Sequence, residues 1–119
     1  AEQANQIAQK AGMAAIQANQ MEVAKQCFMG VLARDKDNQA AIGFLVIINK
    51  VQQLEKQLKN NPDVVDIIVE LATHYLTLRN YKAAQYYVDL ALKQNGNYTD
   101  AIDIKRKLEA YNRTGTNEP

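Results

Sequence analysis

The chain has 119 residues and a formal net charge of +1, from 14 Lys plus Arg against 13 Asp plus Glu. That length supports one hydrophobic core rather than two, and the near balance of charge lacks the clustered cations that a nucleic-acid or polybasic membrane surface requires. No window reaches the ~18 consecutive apolar residues that span a bilayer, so neither nucleic-acid binding nor membrane insertion is expected. Twelve Gln, eleven Asn, two Pro, five Gly and no Ser or Trp make a helix-forming composition. A single cysteine, Cys27, precludes an intrachain disulfide. This fits a reducing compartment such as the cytoplasm and leaves open an exported protein without disulfides. The first residue is alanine, as expected of a processed product or a trimmed fragment.

Apolar residues at Ile7, Ala8, Ala11, Ala14, Ala15 and Ala18 recur at helical spacing and predict a first helix over about 3–18. Asn19-Gln20 breaks it. A second helix, about 21–34, carries Ala24, Cys27, Phe28, Val31 and Leu32 on one face, and Asp37 or Asn38 then suits the cap of the next. That next segment, 39–60, is the longest. Its run from Ile42 to Ile48 is apolar on every side, so it must be covered on every side, whereas Val51 to Lys59 is charged and amphipathic. A buried strand is the competing reading of Phe44 to Ile48, but no second β-rich run exists to pair with it.

Asn60-Asn61-Pro62-Asp63 punctuates the chain, with Pro62 fitting a helix start and Asp63 the positive helix terminus. A fourth helix, about 64–78, places Val65, Ile68, Leu71, Ala72 and Tyr75 on one face. A fifth, about 82–94, places Ala84, Tyr87, Val88, Ala91 and Leu92 together, and Gly96 can close it in the left-handed conformation. The last helix, about 99–111, uses Ala101, Ile102, Leu108 and Tyr111, and 113–119 is read as a flexible tail. The expected fold is all-α: a single helical domain over 1–112 with six helices and a long central one over about 39–60.

The chain repeats itself. Ala11-Gly12, Ala15, Met21, Ala24, Phe28 and Val31-Leu32 superpose on Leu71-Ala72, Tyr75, Tyr81, Ala84, Val88 and Ala91-Leu92 with a constant offset of 60 residues. On these residues the chain resembles the tetratricopeptide repeat family, most closely over Val65 to Gly96 and more weakly over Ala8 to Lys36. Ala15 stands there for the family's large aromatic, and Gly96 for its usual proline. The resemblance implies antiparallel helical hairpins stacked as an α-α superhelix, with 99–111 as the capping helix. The family period is 34 residues, so two repeats would span 68. Eight residues are missing from the central segment, as if a hairpin turn had been deleted and two helices fused.

Catalytic chemistry has little to draw on. Without serine there is no serine triad, and Cys27 and His74 fall on different hairpins. Cys27 reads as a small buried hydrophobe and His74 as a helix-surface histidine. One His and one Cys do not make a metal site, so no metal, no cofactor and no enzymatic activity is expected. Asp63, Asp66 and Glu70 read as partners of a helix N-terminus, and Lys105-Arg106-Lys107 as a solvated helix end. Tyr86, Tyr87, Tyr98 and Tyr111 are expected to form a joint between the last two helices, while Tyr75 and Tyr81 pack within the repeat. Asn97-Tyr98-Thr99 and Asn112-Arg113-Thr114 match the glycosylation acceptor pattern.

The family's groove is lined by the first helix of each repeat. By the resemblance, its lining here is Gln9, Met13 and Ile16, then Ile47 and Val51, then Val69, Thr73 and Leu76, and last Asp103. Relatives that grip the acidic C-termini of heat-shock chaperones use Lys and Asn where this chain has Gln9 with Met13 and Val69 with Thr73, so no such ligand is expected. A mainly apolar lining suits an amphipathic helix or peptide of a protein partner. The alternatives are a self-associating module whose long helix crosses between two copies, and a regulatory fragment of a larger protein.

Overall fold

The computed structural model describes residues 2–114, which form six α-helices and no strand: α1 (Glu2–Gln17), α2 (Met21–Arg34), α3 (Gln39–Asn60), α4 (Val65–Thr77), α5 (Tyr81–Gln94) and α6 (Thr99–Thr114). The protein is all-α. Arg113 and Thr114, expected in a flexible tail, continue α6, and the rest of that expected tail, 115–119, lies outside the described residues. Where the length leads one to expect a single domain, the contacts group into two compact units, Ala1–Gln52 and Gln53–Pro119, and α3 contributes to each.

In the first unit α1 and α2 pack as a close hairpin. Their approach is set at Gly12, where a Cβ would lie 2.7 Å from the ring of Phe28. Phe28 is fully buried and stacks on Phe44 of α3 with ring centroids 4.6 Å apart. In the second unit α4 and α5 form the equivalent hairpin and α6 packs on both. Ile68, Leu71, Ala72, Ala84, Val88, Ala91 and Ala101 are fully buried there. Small residues on facing helices permit that approach, and the larger ones fill the space beside them.

The 60-residue offset is built into the backbone. Among the described residues, Asn19 and Arg79 are the two non-glycine residues with positive φ, at 59° and 62°. Each ends a first helix with the same pair of bonds. Gln20 N–H donates to Ala15 C=O as Asn80 does to Tyr75, and Asn19 N–H donates to Ile16 C=O as Arg79 does to Leu76. This is the Schellman arrangement, which satisfies carbonyls that the helix leaves orphaned. Asn80 then caps α5, its side chain accepting from Ala83 N–H at 3.2 Å. Asn38 caps α3 in the same way, accepting from Ala41 N–H at 3.0 Å.

A second type of turn occurs three times. Asn38 N–H donates to Asp35 C=O, Val64 to Asn61 and Tyr98 to Asn95, and the helix that follows opens with Ile42 on Asn38, Ile68 on Val64 and Ile102 on Tyr98. From Asn61 to Asn95 is 34 residues, but from Asp35 to Asn61 only 26. The eight residues absent from that interval are those that would have turned the chain back, and α3 runs through as one helix of 22 residues.

Three local expectations change. Pro62 and Asp63 lie in the loop, because α4 begins at Val65 with Val64 as its cap, and Asp66 is the acidic residue of its first turn. Gly96 does not close α5, whose cap Asn95 is extended (φ −147°), since the left-handed positions belong to the other type of turn. The apolar run of α3 is not covered all round: Ala41 and Ile48 are fully buried, but Ile42 is 36% and Val46 63% exposed.

Two of the helical glycines, Gly12 and Gly43, separate packing from propensity. Gly12→Ala adds a methyl where the Phe28 ring already stands, and overpacking costs about 1–3 kcal/mol against a helix-propensity gain of at most ~1 kcal/mol. Gly43 has nothing within 4 Å of an added Cβ, so Gly43→Ala is expected to stabilise by roughly 0.5–1 kcal/mol. Urea denaturation of both variants should give midpoints displaced in opposite directions.

Candidate functional site

The residues expected to line a groove fall into three groups by exposure. Ile16 (1%), Val51 (0%) and Val69 (5%) are buried and present no side-chain surface to a partner. Their apolar side chains pack in the interior, which corrects their expected place on the lining. Gln9, Ile47 and Leu76 are half-buried, while Met13 and Thr73 are exposed. In the first unit this leaves Gln9 and Met13 one turn apart on α1, with Ile47 on α3. Gln9 is held toward the turn before α3, its amide donating to Asn38 Oδ1 at 3.4 Å. In the second unit Thr73 and Leu76 remain on α4, and the Thr73 hydroxyl is spent on Val69 C=O at 2.9 Å. Asp103, at the corresponding place on α6, is exposed and lies 3.9 Å from Arg106.

Apolar surface is unevenly distributed. Among the described residues the exposed large hydrophobic side chains are Ile7, Met13, Val23, Met29, Ile42 and Val46 in the first unit, and Val64 and Tyr86 in the second. A scatter of single exposed apolar residues is ordinary, but six within one unit of this size is a concentration.

The tyrosines do not form one joint. Tyr81 stacks on Tyr111 with centroids 4.1 Å apart, which does tie α5 to α6. Tyr98 donates its hydroxyl to the Asp66 carboxylate, so the acid expected to serve only the α4 terminus also anchors the turn before α6. Tyr75 and Tyr87 stack at 5.7 Å, and both hydroxyls donate to the same oxygen of Glu55, at 2.6 and 3.1 Å. Tyr86 meets the edge of Tyr87 and is otherwise exposed. Glu55 lies on the polar half of α3 and had no role by pattern alone. Burial pushes the Tyr75 and Tyr87 hydroxyls far above the ordinary phenol range, and the Glu55 carboxylate adds to this by bonding and by charge.

Cys27, expected buried, is half-exposed. His74 is more enclosed than a surface histidine: its Nε2 is shut off from solvent and lies 3.6 Å from the Glu70 carboxylate. Two of the three cations in the basic triplet have carboxylate neighbours, Lys105 on Asp89 at 3.1 Å and Arg106 near Asp103. No group of three or more potential metal ligands occurs among the described residues. Among the described residues, no helix is long and apolar enough to cross a membrane. The second unit also holds a cleft of about 310 Å³ lined by Tyr81, Lys82, Gln85, Leu108 and Asn112. It joins the start of α5 to the end of α6, residues too far apart in sequence for their juxtaposition to be read from spacing.

Compared with family models, curated proteins and solved structures, the chain gives no match.

The Glu55 pair sets an alkaline limit on stability. Raised folded-state values mean that stability from the two phenols is complete below the unfolded value of 10.0 and is lost as pH rises beyond it. Thermal melts between pH 8 and pH 11.5 should show a decline that begins near about pH 10 and is shallower in the Tyr75→Phe, Tyr87→Phe double variant. At neutral pH, Tyr75→Phe should cost about 1–2 kcal/mol, since a bond to an ionised acceptor is lost.

Proposed function

We propose that the protein is a non-enzymatic, tetratricopeptide-like interaction module that binds a helix or peptide of a protein partner through an apolar surface. The observation that carries this reading is the concentration of exposed large hydrophobic side chains in the first unit, Met13 among them. Water-exposed apolar surface of this density costs solubility unless something covers it for part of the protein's life. The apolar character of Met13 and Ile47, with the uncharged Gln9 between turns of α1, favours burial of an apolar face over recognition of charge. Methionine suits such a role, because its unbranched side chain adapts to the shape laid against it.

The mechanism is shape complementarity and desolvation. Burying one such side chain is worth roughly 1.5–3 kcal/mol, so a few anchors at helical spacing give a useful affinity. Capture of partners from the source cells by the full chain, compared with Met13→Glu and Ile47→Glu, tests it. Each charge is expected to weaken binding by about 10–100-fold while thermal melts show the fold retained. Binding unchanged by both would overturn the reading.

A further inference from the structure

The chain has three methionines, Met13, Met21 and Met29, and all of them belong to the first unit. Their surroundings differ. Met21 opens α2 and is 7% exposed, whereas Met13 on α1 is 43% and Met29 on α2 is 54% exposed. A thioether is readily oxidised, and its reaction with a dissolved oxidant follows access to the sulfur. Two of the three sulfurs are therefore open to attack and one is shielded.

The 60-residue repetition shows what each of these positions tolerates. The counterparts of Met13 and Met29 in the second hairpin are Thr73 and Asp89, both polar and both exposed. The Thr73 hydroxyl donates to Val69 C=O at 2.9 Å, and Asp89 accepts from Gln85 at 2.9 Å and from Lys105 at 3.1 Å. A hairpin of this type thus closes with a polar group at either place. The counterpart of Met21 is Tyr81, whose ring stacks on Tyr111, so that position is one of packing.

We propose that Met13 is an oxidation-controlled contact of the apolar binding surface, an inference that rests on the proposed binding function. The oxidant is hydrogen peroxide. The sulfur lone pair attacks one peroxide oxygen, and the S–O bond forms as the O–O bond breaks. Sulfur gives up two electrons, the displaced hydroxide takes the remaining proton from the transferred oxygen, and water leaves. The product, methionine sulfoxide, replaces a flexible apolar tip with a strongly polar S=O group. A partner's apolar face can cover that group only by stripping it of water, which is costly. The hairpin does not depend on the Met13 tip, so binding is lost while the fold stands. Met29 is oxidised as well, but it lies outside the residues of the binding surface, and Met21 stays reduced. Methionine sulfoxide reductase reverses the step: a dithiol supplies two electrons, becomes a disulfide, and the oxygen departs as water.

Peptide mapping by mass spectrometry after exposure to hydrogen peroxide tests this. A Cys27→Ala background removes the half-exposed thiol that would also react. Met13 and Met29 are expected to gain oxygen about 10-fold or more faster than Met21, with an unchanged thermal melt. Capture of partners from the source cells by the oxidised chain should fall by about 10-fold or more and return after treatment with the reductase. Met13→Leu, which keeps the apolar contact and has no sulfur, should retain capture through peroxide treatment, whereas Met29→Leu should still lose it. Oxidation of Met13 no faster than that of Met21 overturns the proposal, as does a melting transition that collapses once Met13 is oxidised. Capture that Met13→Glu weakens but the sulfoxide leaves intact also overturns it, and the binding function then stands. Capture that neither change weakens overturns both.

Discussion

The α1–α2 hairpin closes at a point with no room for a side-chain atom. Gly12 sits against the Phe28 ring, Phe28 is sealed from solvent, and its other face is taken by Phe44 of α3. One missing methyl therefore sets the distance between two helices and the place where a third can lay its aromatic ring. The second unit solves the same problem with Ala72 and Val88, a slightly larger small residue against a smaller large one. The sum of volumes at the contact is what the fold constrains.

The turns follow from the same constraint. A hairpin with such a close approach needs its first helix to stop sharply, and both do so with a non-glycine residue held at positive φ. Asn tolerates that conformation through its short polar side chain; Arg79 adopts it at a cost that the surrounding bonds offset. Between hairpins the chain uses a different turn, without left-handed residues, and repeats it three times. Two turn types in strict alternation make the chain a repeat, and the missing member of that alternation makes α3 a single helix.

Several polar side chains in this protein pair with one another or cap helices. Glu55 accepts two phenols with one oxygen, Asp66 accepts a third, and Asn38 and Asn80 cap helices. The Glu55 bonds and the two caps are part-buried, where an unpaired donor or acceptor is costly. Apolar surface is what remains uncommitted, and most of it belongs to the first unit.

Helical periodicity, the 60-residue repetition and the eight-residue deficit are properties of residue order, and they were legible without coordinates. Six helices and the length of α3 follow from them, because each depends on spacing within one element. Exposure does not. Ile16 and Val69 read as groove positions by register and are interior; Cys27 read as interior and is half-exposed; Val46 sat in a run that seemed to demand full burial and is open. Each outcome depends on which neighbour stands opposite, and a neighbour is a tertiary fact. Glu55 makes the point most plainly. Its spacing marks it as one more charge on a solvated helix face, and only the packing of α4 and α5 turns two tyrosine hydroxyls toward a single oxygen.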